Sequence, residues 1–387
     1  MRKRISALLA IVLIFVPSIV LAQEELLESY TEFYSDVFAD GVEALNDTEG
    51  FELLLADASW KDLLDGLVKG KIELSFSSVT RELVAYFFQE VIAGLKMMML
   101  LIALCVLTSY LVGMKDGFGS EGVGMAAFYV CYVIISGIAT AVFFQVATCV
   151  GQTVEQIALF MKMIVPVVMT ALITCGAIVS ATVFEPVVVT IVEVAVNLIQ
   201  NVMIPLVMIA TGLSIVNHLS DRFKTQKLTK FMNQTVKWGL SVMLTVFVSV
   251  AGLQSIASSG ADALTVRLSK FAAANLIPVV GGILSESVET VMNCSVLIKN
   301  SIGILGIICL AVLTLLPLIK IGAILILFRL TAAVCEPIAE PKVIQCMSER
   351  GNSISVLFSI LVAVTVMFIM IVTIVMNAGN TAVMLGR

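Results

Sequence analysis

Charged residues are scarce in this sequence. Only 13% of its 387 residues are Asp, Glu, Lys or Arg, whereas 59% are hydrophobic. A soluble globular domain carries about 25% charged residues, so water cannot be the solvent for most of this surface. The length would suit two or three soluble domains, but long apolar runs of about 20 residues or more indicate membrane-spanning helices instead.

Residue types on which many active sites depend are also scarce. There is a single histidine, His218, and no serine or cysteine stands where the sequence suggests a triad with it. The P-loop pattern and the HExxH zinc pattern are both absent from the sequence. The sequence therefore predicts a protein that is not an enzyme, with no catalytic, cofactor-binding or metal-binding residues.

The eight cysteines form no CxxC pair, and none occurs in residues 23–90. Most of them stand within or beside apolar runs. This placement predicts free, buried thiols that act as small hydrophobic side chains, rather than a disulfide framework or a zinc site.

The N-terminus has the three parts of a secretory signal peptide. Three basic residues at positions 2–4 precede the apolar run 5–16, and Pro17 precedes the small residues that end at Ala22. The pattern predicts a signal peptide over residues 1–22. An uncleaved anchor helix is the alternative, although the apolar run is short for a span.

Residues 23–90 hold more than half of the acidic residues of the chain. Apolar residues recur there at helical spacing, as at Tyr30, Phe33 and Tyr34. The sequence predicts a small exported helical segment whose acidity reflects topology. Since so short a segment buries little surface alone, we expect it to pack on the membrane portion or on another protein.

Residues 91–377 are predicted to form a transmembrane domain of about six to eight membrane segments, some of them re-entrant, before a short tail at 378–387. The fold class is therefore all-α, a polytopic helical bundle with a small exported N-terminal segment. The spans are predicted at 92–112, 123–148, 163–184, 187–216, 238–257, 302–334 and 354–376.

Prolines and polar stretches set the predicted ends of several spans. Glu185-Pro186 is predicted to stop the third span, and Pro205 to bend or break the long fourth one. Pro317 and Lys320 are predicted to interrupt the run 302–334, and residues 336–352 to form a polar loop.

Five bases follow the fourth predicted span, and the positive-inside rule predicts that they lie in the cytoplasm. Four full spans after an exported residue 90 would put these bases on the outside. One segment between 92 and 216 is therefore expected not to cross or to be re-entrant, or else the long segment 187–216 crosses in a different way. The bases of this predicted cytoplasmic loop are Arg222, Lys224, Lys227, Lys230 and Lys237.

Polar residues within the spans are the candidate functional residues, because such groups are costly in lipid. Glu193, Asn197, Gln200 and Asn201 share one face of the fourth segment. They are interpreted either as the lining of a polar conduit or as hydrogen-bonding contacts between helices. Lys320 could pair with Glu185 or Glu193, or it could mark the cytoplasmic rim.

One stretch of the chain carries a resemblance to a known family. It comprises Lys270-Phe271, Leu276–Glu286 (LIPVVGGILSE), Glu289–Val291 and Lys299-Asn300. Together with the signal peptide, the acidic exported segment and the later spans, this stretch resembles the stage III sporulation protein AE family of endospore-forming bacteria. The resemblance covers most of the chain.

The resemblance implies a place in the mother-cell membrane that surrounds the forespore. It implies an integral membrane subunit of a channel-like or secretion-like complex required for endospore development. The implied partners are an ATPase subunit, ring-forming proteins of the same complex and, across the intermembrane space, stage II sporulation protein Q. No nucleic acid is implied, and no site residues carry over. The alternative is a stand-alone secondary transporter or permease with a polar path through Glu193 and Lys320.

Overall fold

The apolar runs fold into long helices. A computed structural model describes residues 76–113, 121–219, 225–276 and 281–385, and no β-strand occurs in these ranges. A π-helical turn, Ile199–Met203, joins the third helix to the fourth. The predicted all-α fold is confirmed. The helices are α1 (Phe76–Gly113), α2 (Glu121–Thr174), α3 (Ile178–Leu198), α4 (Ile204–Leu219), α5 (Gln226–Leu276), α6 (Gly281–Cys335) and α7 (Pro341–Leu385).

Some of the predicted features lie outside the described residues. They include the signal peptide at 1–22 and the exported segment as far as residue 75. Residues 76–90, which close that predicted segment, belong to α1 and run without interruption into the first span.

Six helical segments among the described residues are long and apolar enough to cross a membrane. The 54 residues of α2 extend about 81 Å at 1.5 Å per residue, whereas the hydrocarbon core is about 30 Å thick. The ends of such helices therefore project beyond the hydrocarbon. The candidate spans are Thr80–Gly113, Ala126–Thr174, Ile178–Asn217, Gln226–Leu253, Met292–Cys335 and Pro341–Ala378.

Helix α7 occupies the centre of the bundle and packs against α2, α4, α5 and α6. Its Ile360, Leu361, Val364 and Phe368 are fully buried in the main apolar core. A smaller apolar cluster joins α1, α2 and the two ends of the turn between α6 and α7. All eight cysteines are described; they are free, and seven are buried. Their predicted role as buried thiols is confirmed.

The predicted end of the third span is wrong. Helix α2 continues through Pro166 to Thr174, and Pro186 lies inside α3. The break falls at Gly176, whose φ of 82° suits the left-handed conformation that glycine adopts without strain. The Gly176 N–H donates to the Ile173 carbonyl at 2.9 Å, and the Ala177 N–H to the Leu172 carbonyl at 3.2 Å. This is a Schellman motif, which ends α2.

Two further expected interruptions are also wrong. Helix α6 runs through Pro317 and Lys320 without a break. The predicted polar loop 336–352 is mostly helix, since α7 begins at Pro341. Prolines are tolerated inside membrane helices because neighbouring groups can satisfy the freed backbone carbonyls.

These corrections change the number of crossings before the basic residues. The predicted spans 123–148 and 163–184 merge largely into α2, and α3 and α4 form one further segment. Three candidate spans, rather than four, therefore precede residue 220. Three crossings put the basic residues that follow on the side of the membrane opposite to an exported N-terminal segment. The expected re-entrant segment is therefore not needed.

Candidate functional site

Four polar residues are predicted on the fourth segment, in the part that belongs to α3 and the π turn. Three of them face away from the bundle. Glu193, Asn197 and Asn201 are exposed, and the Glu193 side chain is 60% accessible. Asn201 Nδ2 donates to Asn197 Oδ1 at 2.5 Å, within the same helical segment. Gln200 is half-buried instead, and its Nε2 donates to the Gly151 carbonyl of α2 at 3.4 Å. The four residues therefore divide into an outward row and one contact between helices.

The π-helical turn beside these residues follows from Pro205. Proline has no N–H to donate to the Asn201 carbonyl, and its ring crowds that oxygen. The chain widens by one residue here, so that the Ile204 N–H donates to the Ile199 carbonyl five residues back. The helix that was expected to bend or break at Pro205 continues with one wide turn.

Helix α2 presents a second outward row next to the first. Its first four members recur at intervals of three or four residues, and the fifth follows seven residues later, so they share one side of the helix. Lys162 Nζ lies 3.8 Å from Glu193 Oε1 and joins the two rows into one surface. We call this surface the α2–α3 polar face. It consists of the exposed residues Gln145, Thr148, Gln152, Glu155 and Lys162 on α2, with Thr190, Glu193, Asn197 and Asn201 on α3 and the π turn.

Two members of the α2–α3 polar face stand near the middle of their candidate spans. Asn197 stands midway along the candidate span Ile178–Asn217, and Gln152 near the middle of Ala126–Thr174. A charged side chain at the centre of a membrane helix costs about 2.5–3.5 kcal/mol on insertion scales. A surface with several such groups is therefore suited to contact with protein or water rather than with lipid tails.

The other predicted site residues are dispersed. The predicted cytoplasmic loop is wrong for three of its five bases, because Lys227, Lys230 and Lys237 are exposed residues of α5, inside the candidate span Gln226–Leu253. Arg222 and Lys224 lie outside the described residues. Lys320 is half-buried on α6. Glu193 pairs with Lys162 and not with Lys320, which had been considered as its partner.

Asp262 of α5 is fully buried and caps α3 from a different helix. Its Oδ1 accepts from the Val179 N–H at 2.8 Å, and its Oδ2 from the Ser180 N–H at 3.0 Å. These are free N–H groups of the first turn of α3, which its own N-cap residue, Ala177, leaves without a side-chain bond. A carboxylate is well suited to this position, where the helix dipole is positive.

Arg350 of α7 is the largest fully buried side chain among the described residues. Its Nη1 donates to the Thr211 carbonyl of α4 at 3.1 Å. The adjacent Glu349 accepts a hydrogen bond from Ser214, also on α4. Tyr132 of α2 lies close to Arg350 and to Cys346. A polar cluster therefore joins three helices at the end of the bundle where α4 ends and α7 begins.

Lys299 of α6 is a third fully buried ionisable residue. Its Nζ donates to the Met376 carbonyl of α7 at 2.5 Å, and it lies near Cys175 at the turn between α2 and α3. Asp262 also bonds to this turn region. The two buried polar clusters thus lie at opposite ends of the bundle, one around Arg350 and one around Cys175.

Comparison with known proteins identifies the family of this helical arrangement. The family model described as stage III sporulation protein AE matches residues 58–379. The chain belongs to the stage III sporulation protein AE family. It is similar to the stage III sporulation protein AE of Bacillus subtilis strain 168, with 28% identity over 331 residues. That match covers 86% of this chain and 83% of the relative. No solved structure matches.

The match to the stage III sporulation protein AE family includes all six candidate spans, the α2–α3 polar face and both buried polar clusters. Neither Asp262 nor Arg350 is among the residues that the sequence marks as contacts between helices. Asp262 is a lone acid in a segment of small residues, and this isolation is the available signal. Arg350 stands in a polar stretch that predicts a loop, so the sequence around it carries no such signal.

Proposed function

We propose that this chain is an integral membrane subunit of a sporulation-specific channel or secretion-like complex between mother cell and forespore. Membership of the stage III sporulation protein AE family supports a role in endospore development. The observation that carries the membrane-complex role is the α2–α3 polar face, because one copy of the chain leaves it exposed at membrane depth. Such a surface needs a protein neighbour or an aqueous path.

The proposed topology has the N-terminal segment and the C-terminus on the same, exported side. Six crossings alternate in direction, so the connections 114–120, 220–225 and 336–340 share the cytoplasmic side. The positive-inside rule favours this orientation, since the bases Arg222, Lys224, Lys227 and Lys230 stand between the third crossing and the first turns of α5. Reporter fusions after residues 118, 228 and 345 should all read as cytoplasmic, and a fusion after Gly176 as exported. A cytoplasmic signal at Gly176 would contradict the topology.

The proposed partners are those implied by the family resemblance. They are an ATPase subunit and ring-forming membrane proteins of the same complex, with stage II sporulation protein Q across the intermembrane space. The chain itself is proposed to have no enzymatic activity. The exported residues 23–75 supply a docking segment, and the helical bundle supplies the membrane core.

The test is genetic and biochemical, in the organism that encodes this chain. Deleting the gene should leave vegetative growth intact and abolish heat-resistant spores, with arrest after engulfment. Removing residues 23–75 behind an intact signal peptide should preserve insertion but eliminate cross-links to the other subunits. Normal spore yield in the deletion strain would refute the sporulation role. Unchanged cross-links would refute the docking role of 23–75.

A stand-alone transporter is less well supported. Its expected path joined Glu193 to Lys320, but Glu193 lies on the outer surface of the bundle and pairs with Lys162. Liposomes that contain only this protein would test that alternative. A solute flux that Glu193→Gln alters would restore it.

A further inference from the structure

Helix α5 carries a second outward polar surface, which we call the α5 polar stripe. Its residues recur every three or four positions and so form one row. The hydroxyls donate along the helix, as from Thr245 to the Ser241 carbonyl at 2.8 Å and from Ser249 to the Thr245 carbonyl at 2.8 Å. Each hydroxyl oxygen keeps its capacity to accept a hydrogen bond from outside. The stripe consists of the exposed residues Lys230, Gln234, Lys237, Ser241, Thr245 and Ser249.

The stripe is distinct from the lipid-compatible part of the same helix. Val246 and Leu253 are exposed on the neighbouring side of α5, and Leu253 is 70% accessible. Apolar residues of this kind suit contact with lipid tails. Hence α5 divides its exposed surface into an apolar side and a polar side, as a helix does when it borders both lipid and protein.

Contacts between α3 and α5 set the relative depth of the two polar surfaces. The helices run antiparallel: a methyl group placed on Gly239 would lie 3.2 Å from Met203 Cε. Nearer the other end, Phe247 and Ala251 line a small apolar gap together with Phe184 and Val188. This register puts Asn197 close to the depth of Ser241.

We infer that copies of this chain associate head to tail, with the α2–α3 polar face of one copy against the α5 polar stripe of the next. Copies in one membrane share their depth, so Asn197 of one copy meets the Ser241 region of its neighbour. Amides then face hydroxyls, which are mutually compatible donors and acceptors. Between two such copies, the α2–α3 polar face and the α5 polar stripe are both shielded from the lipid tails.

Charge favours this pairing over a symmetric one. The α2–α3 polar face has an excess of acid, with Glu155 and Glu193 against Lys162, whereas the α5 polar stripe carries Lys230 and Lys237. A two-fold axis along the membrane normal would instead set the α2–α3 polar face of one copy against the same face of the other. The acidic excess of one copy would then face an equal acidic excess, and like charges brought together are costly. A head-to-tail interface repeats and generates a ring or an open row of copies.

This association does not depend on the sporulation role. It is tested in a bacterial membrane that contains no other sporulation protein, with two differently tagged full-length chains expressed together. One chain carries Asn197→Cys and the other Ser241→Cys, and an oxidant then promotes disulfide formation. The native cysteines are all at least partly buried, so they give a low background.

The expected product is a dimer that carries both tags and appears only in the mixture. A chain with both substitutions should give a ladder of dimers, trimers and larger species. The matched control replaces Ser241→Cys with Val242→Cys, an adjacent exposed residue on the apolar side of α5, and should form far less product. A second control, Met99→Cys on the exposed apolar surface of α1, should form none with Asn197→Cys.

Three outcomes would overturn the inference. One is a dimer formed by Asn197→Cys alone, which would indicate a two-fold interface. Another is the absence of the mixed product although both chains are inserted. The third is equal product with Ser241→Cys and Val242→Cys. A second measurement uses Asn197→Leu with Asn201→Leu in an otherwise native interface: cross-linking between Gln152→Cys and Ser241→Cys chains should fall about tenfold, because two interhelical hydrogen-bonding groups are lost.

Discussion

Asp262 and Asn197 are both polar residues on helices long enough to cross a membrane, but their surroundings differ. The Asp262 side chain is fully buried, and two backbone N–H groups of α3 bond to it. Asn197 is exposed, and its side chain bonds to Asn201 one turn along the same segment. The first residue holds two helices of one chain together. The second has no such role in the part of the chain that the structure describes.

The same contrast separates Arg350 from the Lys162–Glu193 pair. Arg350 contacts α4 from inside the bundle, whereas the Lys162 and Glu193 side chains are 50% and 60% accessible. Inward polar residues therefore contribute to folding, and outward ones to association. Substitutions at the two kinds of position should therefore separate stability, measured as the free energy of unfolding, from assembly.

Asp262→Ala should have the largest effect. It removes both bonds to the first turn of α3 and leaves two N–H groups without acceptors, a loss of about 3 kcal/mol. Cys175, buried at the turn beside this site, reports the local opening. Its modification by a maleimide, followed by peptide mass spectrometry, should accelerate about 100-fold. Arg267→Ala, at an exposed position on the same helix, should leave the rate unchanged. An unchanged rate in Asp262→Ala would show that the cap is dispensable.

Arg350→Ala should have the next largest effect, about 2–3 kcal/mol. It leaves a cavity between α4 and α7 and removes the donor to the Thr211 carbonyl. Arg350→Met fills the same space without a charge and should cost about 1 kcal/mol or less, since Nε and Nη2 of Arg350 have no hydrogen-bond partner among the described residues.

The modification rate of the buried Cys346 measures this effect, with Gln345→Ala as an exposed control on the same helix. Equal acceleration in Arg350→Ala and Arg350→Met would mean that the charge, rather than the volume, stabilises this end of the bundle.

The sequence was sufficient for the features that depend on composition and local pattern. Low charge and long apolar runs predicted the helical membrane bundle, and the position of the cysteines predicted their burial. Proline at 205 predicted a disturbance, which the structure shows as a π turn. These predictions succeed because each depends on residues that are close together in the chain.

The errors arise where distant residues decide the local structure. Pro186 predicts the end of a span, but α3 starts eight residues earlier and packs against α2 and α5. The true break at Gly176 is stabilised by a Schellman motif, and the next helix is capped by Asp262, more than 80 residues away. The polar composition near Arg350 suggested a loop because its partners on α4 are likewise distant in sequence. No local pattern contains these pairings.

Glu193→Gln should have a small effect, about 0.5 kcal/mol, because its ion pair with Lys162 is largely accessible and such pairs contribute little. Thermal unfolding in detergent, followed by the total reactivity of the eight buried or half-buried cysteines, measures this difference. Lys162→Gln should match it. A loss of several kcal/mol in either variant would place the pair with the inward residues and contradict the comparison.

Asn197→Leu combined with Asn201→Leu should change the free energy of unfolding least, by about 0.5 kcal/mol or less in either direction, as for surface substitutions without partners. The monomer loses one amide–amide bond within a single helical segment and gains apolar surface that lipid accepts. Spore yield should nevertheless fall sharply, because the variant no longer presents the groups that a neighbouring copy would bond. Val194→Leu, an exposed apolar neighbour that is 61% accessible, should leave both stability and spore yield unchanged.

If the double variant sporulates normally, the outward polar residues are as dispensable for assembly as they are for folding. Their exposure at membrane depth would then have to be accommodated by water.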